Sequence, residues 1–292
     1  MIKPDLIYVA GAGRSGSTLL DILIGHQEGY CSCGELRRLI PAYLAGELCS
    51  CGRRLNECPV WHRVVERWAA DSNLDQEGIK RFARMELEYT HPVGARAWYA
   101  ILGPMRSWSY RWYLDNKRRL LEVLTSDLAG QVIVDSSKSP VNLIHTARAL
   151  RGGVMVVHLV RHPWAVIESL SRGHDKAHEK GVQRDIPPRS RVRTAVYWLI
   201  INWACQVCIR LSRCESRRIR YEHLVDNPTD TIRKLCADAR IHGEIRVGHL
   251  CAGNRLRMQR TVMVNAGAGL VAGAPDRLAY RLLDRLYRHY GC

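Results

Sequence analysis

Four runs of apolar residues, each closed by turn-forming or polar residues, set the rhythm of the chain. They are "LIYVA" (6–10), "VIVD" (132–135), "VMVVHLV" (154–160) and the more polar "RRIRYEHL" (217–224). Runs that lack the alternation of a half-solvated strand predict parallel strands buried on both faces. Helix-like segments follow the first three, as the β-α repeat of a doubly wound α/β sheet requires. In such sheets ligand chemistry gathers at the carboxyl ends of the strands. Here those ends carry Gly11 to Ser17, Asp135 to Lys138, and Arg161 to Pro163.

Between the first and second runs lie about 120 residues, far more than an ordinary α/β connection. Helical periodicity over 60–90 and 107–128 predicts a helical insertion after the first β-α unit, at roughly 30–130 of a single domain spanning 1–292. Its aromatic residues Trp98, Tyr99, Trp108, Tyr110, Trp112 and Tyr113 form either core packing or the wall of an acceptor pocket. The polar stretch from Arg172 to Arg193 has no clear period and predicts a loop, either a surface connection or a lid. From Thr194 to Leu211 the chain is apolar at nearly membrane-spanning length, but Asn202, Gln206 and Arg210 interrupt it. That pattern predicts a buried helix without stable membrane insertion.

Composition narrows the class. Hydrophobic residues at 47% and charged ones at 25% fit a globular protein and exclude collagen-like, disordered and membrane-bundle classes. The net charge of +16 is carried by arginine, since only seven of the 44 basic residues are lysines, and it predicts an anionic partner. No zinc-finger, homeodomain or RNP pattern accompanies the charge, so nucleic acid is not the expected partner. Met1 leads straight into the first apolar run, which predicts a cytoplasmic protein. Eleven cysteines, an odd number, are then expected to be mostly reduced thiols.

The first strand end reads "VAGAGRSGSTLLDIL" (9–23). Gly11, Gly16 and Thr18 sit where a phosphate-binding P-loop places its glycines and hydroxyl, but Ser17 fills the lysine slot and Arg14 stands three positions earlier. Backbone N–H groups and a helix N-terminus remain to cradle an anion. The lysine that reaches a γ-phosphate is gone, which points away from a nucleoside triphosphate. A P-loop kinase with an unusual lysine stays open as the alternative, with Asp135 as its magnesium-side carboxylate. A nucleotide- or nucleic-acid-binding protein without catalysis stays open as well.

This loop resembles the 5′-phosphosulfate loop of sulfotransferases that use 3′-phosphoadenylyl sulfate (PAPS), in particular the branch containing tyrosylprotein and carbohydrate sulfotransferases. The resemblance implies a P-loop-kinase-like fold, PAPS as donor, adenosine 3′,5′-bisphosphate as the departing product and no catalytic metal. It places Gly13, Arg14, Ser15, Gly16, Ser17 and Thr18 around the phosphosulfate. In "LVRHPWAVIESLSRG" (159–173), Arg161 ends a strand and Ser169 lies two turns into the next helix, a spacing that lets both face one phosphate. The resemblance assigns that phosphate to the 3′ position.

Three further segments extend the likeness. "YCSCGELRRLIP" (30–41) is similar to a G-E segment of the tyrosylprotein branch, which implies that Glu35 is the general base; a structural glutamate paired with Arg37 or Arg38 is the competing reading. His26 and His145 are weaker candidates for the base. "VIVDSSKSP" (132–140) resembles a D-x-S-K segment, implying that Lys138 neutralises charge on the leaving oxygen beside Arg14. "IRYEHLVDNP" and "GNRLR" resemble late motifs that bring Tyr221, Asn254 and Arg257 to the donor, with Glu222 tying adjacent backbone. The acceptor is expected to be the hydroxyl of a small molecule or glycan. Cys31, Cys33, Cys49, Cys51 and Cys58 make a C-x-C … C-x-C … C-P cluster, readable as free thiols, a redox-dependent disulfide or a structural zinc site.

Overall fold

The computed structural model describes residues 4–91, 94, 98, 107–128, 130–172, 187–236, 283–285 and 287–288. Its centre is a five-stranded, all-parallel sheet in the order β2-β3-β1-β4-β5. The strands are β1 (Leu6–Ala10), β2 (Tyr30–Gly34), β3 (Val132–Lys138), β4 (Val154–Val160) and β5 (Glu215–Arg220). The central strand is buried at every position. Its side chains alternate between the two layers: Leu6, Tyr8 and Ala10 enter one core, Ile7 and Val9 the other.

Helices cover both faces. α1 (Ser17–Gly25) sends Leu20, Leu23 and Ile24 to the Ile7/Val9 side, joined there by Leu224 of α9 (Tyr221–Asp226) and Ile232 of α10 (Pro228–Arg233). On the other side α6 (Pro140–Leu150), α7 (Pro163–Ser171) and α8 (Arg191–Ser212) contribute Val141, Ile144, Val166 and Trp198. The α/β class read from the sequence is therefore the architecture observed.

The inserted helices lie between β2 and β3: α2 (Leu39–Leu44), α3 (Pro59–Asp71), α4 (Gln76–Tyr89) and α5 (Trp108–Asp127). The stretch expected to be wholly inserted begins instead with a strand, because Tyr30–Gly34 pairs with β3 at the sheet edge. The 60–90 helix is two helices, broken where Asn73 takes a left-handed φ of 51° and Asp75 caps α4 through Gly78 N–H at 2.7 Å. Trp68, Phe82 and Tyr113 join the three longer helices, with Trp68 edge-on to Phe82 at 4.9 Å. Below them, buried Glu86 accepts hydrogen bonds from Lys117 and Tyr113, each at 2.8 Å.

Three expectations change. The fourth run is a strand only as far as Arg220; Tyr221 opens α9. Ser190 caps α8, accepting from Arg193 N–H, so Arg191 onward is helix; 173–186 of the expected loop lies outside the described residues. α8 is half-buried: Trp198, Ile201, Asn202 and Cys205 face the core, whereas Val192, Val196, Ile200, Trp203 and Leu211 are exposed. It is the one helix among the described residues long and apolar enough to cross a bilayer by length and composition.

Candidate active site

At the carboxyl end of β1 the chain turns through Gly11–Gly16 into α1, and Gly11 N–H donates to the Lys138 carbonyl at the end of β3. Gly16 has a φ of 89°, and a Cβ there would lie 2.3 Å from the Tyr221 ring, so the loop admits only glycine at this point. Arg14 adopts a left-handed φ of 69° despite its side chain. Its Nε donates to Ser169 Oγ at 2.9 Å, while its carbonyl accepts from Arg161 Nη1 at 3.0 Å. Arg161 also lies over the Tyr221 ring at 4.4 Å, and Gly13 N–H donates to Tyr197 Oη at 3.1 Å. Arg14, Arg161, Ser169 and Tyr221, from three separate segments, thus meet at the loop.

The electrostatics of this corner favour an anion. Burial and then the charge of Arg161 lower the Arg14 pKa from its ordinary value, because two guanidiniums share one partly desolvated site. Ser15 Oγ and Arg161 Nε are buried and find no hydrogen-bond partner among the described residues. Phosphate oxygens supply the acceptors that such donors lack. Ser17 is buried in the first turn of α1 and Thr18 follows it, half-buried.

The neighbouring corner is built from β2 and β3. Lys138, at a left-handed φ of 66°, forms an ion pair with Glu35, just past the end of β2. Glu35 is fixed through the backbone on both sides. Gly34 N–H donates to Asp21 Oδ2 at 3.0 Å, and Leu36 N–H donates to Asp135 Oδ1 at 3.1 Å. Asp21 also accepts from Ser32 and Ser136, each at 2.7 Å, and so clasps β2 to β3 from α1. Arg37 N–H donates to Ser137 Oγ at 3.0 Å. Burial pushes the Asp21 carboxyl up to about 7 against the pull of those hydrogen bonds, and Asp135 likewise up to about 6.

Glu35 is salt-bridged, as its structural reading expected, but to Lys138; Arg38 pairs instead with Glu47 at 2.8 Å. His145 is a packing residue: Nε2–H donates to the Tyr89 carbonyl at 3.0 Å, Nδ1 accepts from Tyr110, and burial drives its pKa down to about 3. Tyr110 and Tyr113 belong to the core, whereas Trp108 is 62% exposed with the Arg81 guanidinium 5.2 Å from its ring. Glu222 accepts from His162 N–H at 3.0 Å, bracing the turn after Arg161. Asn254 and Arg257 lie outside the described residues.

Sequence reasoning missed Asp21, Ser137 and Tyr197. A lone carboxylate within the apolar "LLDILIG" was the one signal for Asp21; nothing local marks Tyr197, 184 positions from its partner. A cleft of about 770 Å³ lies at the opposite, amino-terminal edge of the sheet, lined by Tyr30, Val154 and Glu215 among others. None of the converging residues lines it.

The two corners gather arginine, lysine and backbone N–H donors at the carboxyl ends of a parallel α/β sheet, an arrangement that suits an anionic ligand. The model of the sulfotransferase family matches residues 4–242, and the chain belongs to that family. Among solved structures, the sulfotransferase domain from the curacin biosynthetic pathway is similar over 98% of both chains, at 18% identity and a TM-score of 0.53. The sulfotransferase domain of the Synechococcus PCC 7002 olefin synthase gives 18% identity and a TM-score of 0.47, over 98% of this chain and 97% of the other. No curated protein sequence matches.

Proposed function

We propose that the protein transfers a sulfuryl group from PAPS to an acceptor hydroxyl of a small molecule or glycan. The carrying observation is the joint contact of Arg14 with Ser169 and Arg161. It fuses the loop read as the 5′-phosphosulfate cradle to the pair read as the 3′-phosphate clamp. One donor bearing both groups fits that spacing better than a triphosphate, and the missing loop lysine agrees. Asp135, the carboxylate a kinase reading needs, is buried and hydrogen-bonded to Leu36 N–H and Ser137 N–H.

When bound, the donor supplies an activated sulfuryl group and a bisphosphate leaving group. Glu35 takes the acceptor hydroxyl proton as its oxygen forms the new S–O bond. The bond from sulfur to the bridging phosphate oxygen breaks, and Lys138 and Arg14 balance the charge left there. The Lys138–Glu35 pair sets cation and base side by side at that seam. Glu35 inherits its role from the likeness to the tyrosylprotein branch, which concerns machinery and leaves tyrosine one acceptor among many. Tyr110 and Tyr113 are withdrawn into the core; of the described aromatics in that cluster, Trp108 is the most exposed and is the candidate for an acceptor wall.

We also propose that the chain acts as one catalytic unit, in keeping with the long family match, and that it works in the cytoplasm. Incubation with isotopically labelled PAPS and a metabolite extract, read by mass spectrometry, tests the activity. Labelled product and adenosine 3′,5′-bisphosphate are expected in equal amounts. Transfer from magnesium-ATP instead, with PAPS inert, overturns the reading.

A further inference from the structure

The sequence placed five cysteines in one cluster; the structure divides them. Cys31 and Cys33 stay on β2, whereas Cys49, Cys51 and Cys58 bring their sulfurs within 4.8 Å of one another. Cys58 Sγ lies 3.7 Å from Cys49 Sγ and 3.8 Å from Cys51 Sγ. A disulfide needs about 2.05 Å. Three thiolates on a tetrahedral zinc ion at about 2.3 Å stand about 3.8 Å apart.

The backbone around the trio is shaped as a metal-binding knuckle. Leu48 and Arg54 form an antiparallel bridge, Gly52 N–H donates to the Cys49 carbonyl at 3.0 Å, and Gly52 takes the φ of 95° that closes so short a turn. Cys51 N–H points to Cys49 Sγ at 3.5 Å, a donor that stabilises a thiolate. Cys58 is the N-cap of the 13-residue α3, where the helix dipole favours negative charge, and Pro59 opens the helix without needing a hydrogen-bond partner. Cys49 and Cys58 are fully buried and Cys51 is exposed, so an ion has a route in.

We infer that Cys49, Cys51 and Cys58 are three ligands of a structural zinc ion that fastens the 48–54 hairpin to the start of α3. Binding displaces the thiol protons to solvent and leaves the oxidation state of sulfur and metal unchanged. The site is separate from the sulfuryl-transfer chemistry. It reaches that chemistry only at a distance, because Glu47 at the foot of the hairpin pairs with Arg38, three residues beyond Glu35. Metal therefore stabilises the insertion and leaves donor binding nearly unchanged.

The test is metal content by inductively coupled plasma mass spectrometry on the full chain, purified in reductant with zinc and dialysed. About one zinc per chain is expected for wild type. The exposed Cys51→Ser, which disturbs no core packing, is expected to lose zinc to a chelator at least tenfold more readily, and Cys208→Ser to keep it. Cobalt is expected to give the intense thiolate charge-transfer bands of a tetrahedral site in wild type and not in Cys51→Ser. Chelation of wild type is expected to lower the Tm. Zinc content equal to that of a Cys49→Ser/Cys51→Ser/Cys58→Ser variant, or a disulfide among the three in a chain kept reduced, overturns the inference.

Discussion

Two lysine–glutamate pairs, chemically alike, sit in opposite surroundings. Lys117–Glu86 is sealed in the insertion, with side chains 7% and 3% exposed, and Tyr113 completes its hydrogen bonding. Lys138–Glu35 stands at the strand ends, 21% and 18% exposed, on a lysine held in a left-handed conformation. The first pair is closed off from solvent, with both carboxylate oxygens of Glu86 engaged by Lys117 and Tyr113, and is out of a ligand's reach. The second is positioned from behind, through Asp21 and Asp135, and open in front. A charge pair becomes chemistry when its backbone is fixed and its head groups are reachable.

The contrast is breakable. Glu35→Gln is expected to lower kcat by about 10²- to 10⁴-fold with unfolding stability unchanged, measured by steady-state turnover beside thermal melts. An activity loss that merely follows a falling Tm would reduce Glu35 to a structural residue. Glu86→Ala is expected to do the reverse. Leaving Lys117 buried and unpaired costs about 3–5 kcal/mol of stability in urea unfolding, with kcat near wild type in the folded fraction. The joint change Glu86→Leu/Lys117→Met is expected to recover most of that loss.

A subtler handle is the carboxylate behind the open pair. Asp21 titrates at about 7 in the folded protein but near 4 when unfolded, so between these values the folded state holds the extra proton. Its contribution to stability is then greatest at low pH and falls as pH rises from about 4 to 7. Asp21→Asn is expected to flatten that part of the stability–pH curve, read by chemical unfolding across the range. Smallest is Tyr197→Phe, which removes only the hydroxyl that meets Gly13 N–H and is expected to raise the KM for the donor about threefold to tenfold.

Legibility from sequence followed locality. β1, β3 and β4 are unbroken apolar runs, and their periodicity alone marks them. β2 reads "YCSCG", too short and glycine-ended to stand out, and it is a strand because β3 pairs with it. The glycine loop, Arg161 with Ser169, and Lys138 were visible because each motif is contiguous or nearly so. What fixes Glu35 was not, since Asp21 and Ser136 meet across 115 positions. Burial that raises a carboxylate pKa, or sets three sulfurs at metal spacing, belongs to the fold and leaves little trace in spacing.

The central claim is that one donor bridges the glycine loop and the Arg161–Ser169 clamp. Calorimetric titration with PAPS and with adenosine 5′-phosphosulfate, which lacks the 3′-phosphate, on wild type and Arg161→Ala tests it most directly. PAPS is expected to bind wild type at least tenfold more tightly than the truncated donor, a margin that Arg161→Ala abolishes. Equal affinity for the two donors in wild type would contradict the account.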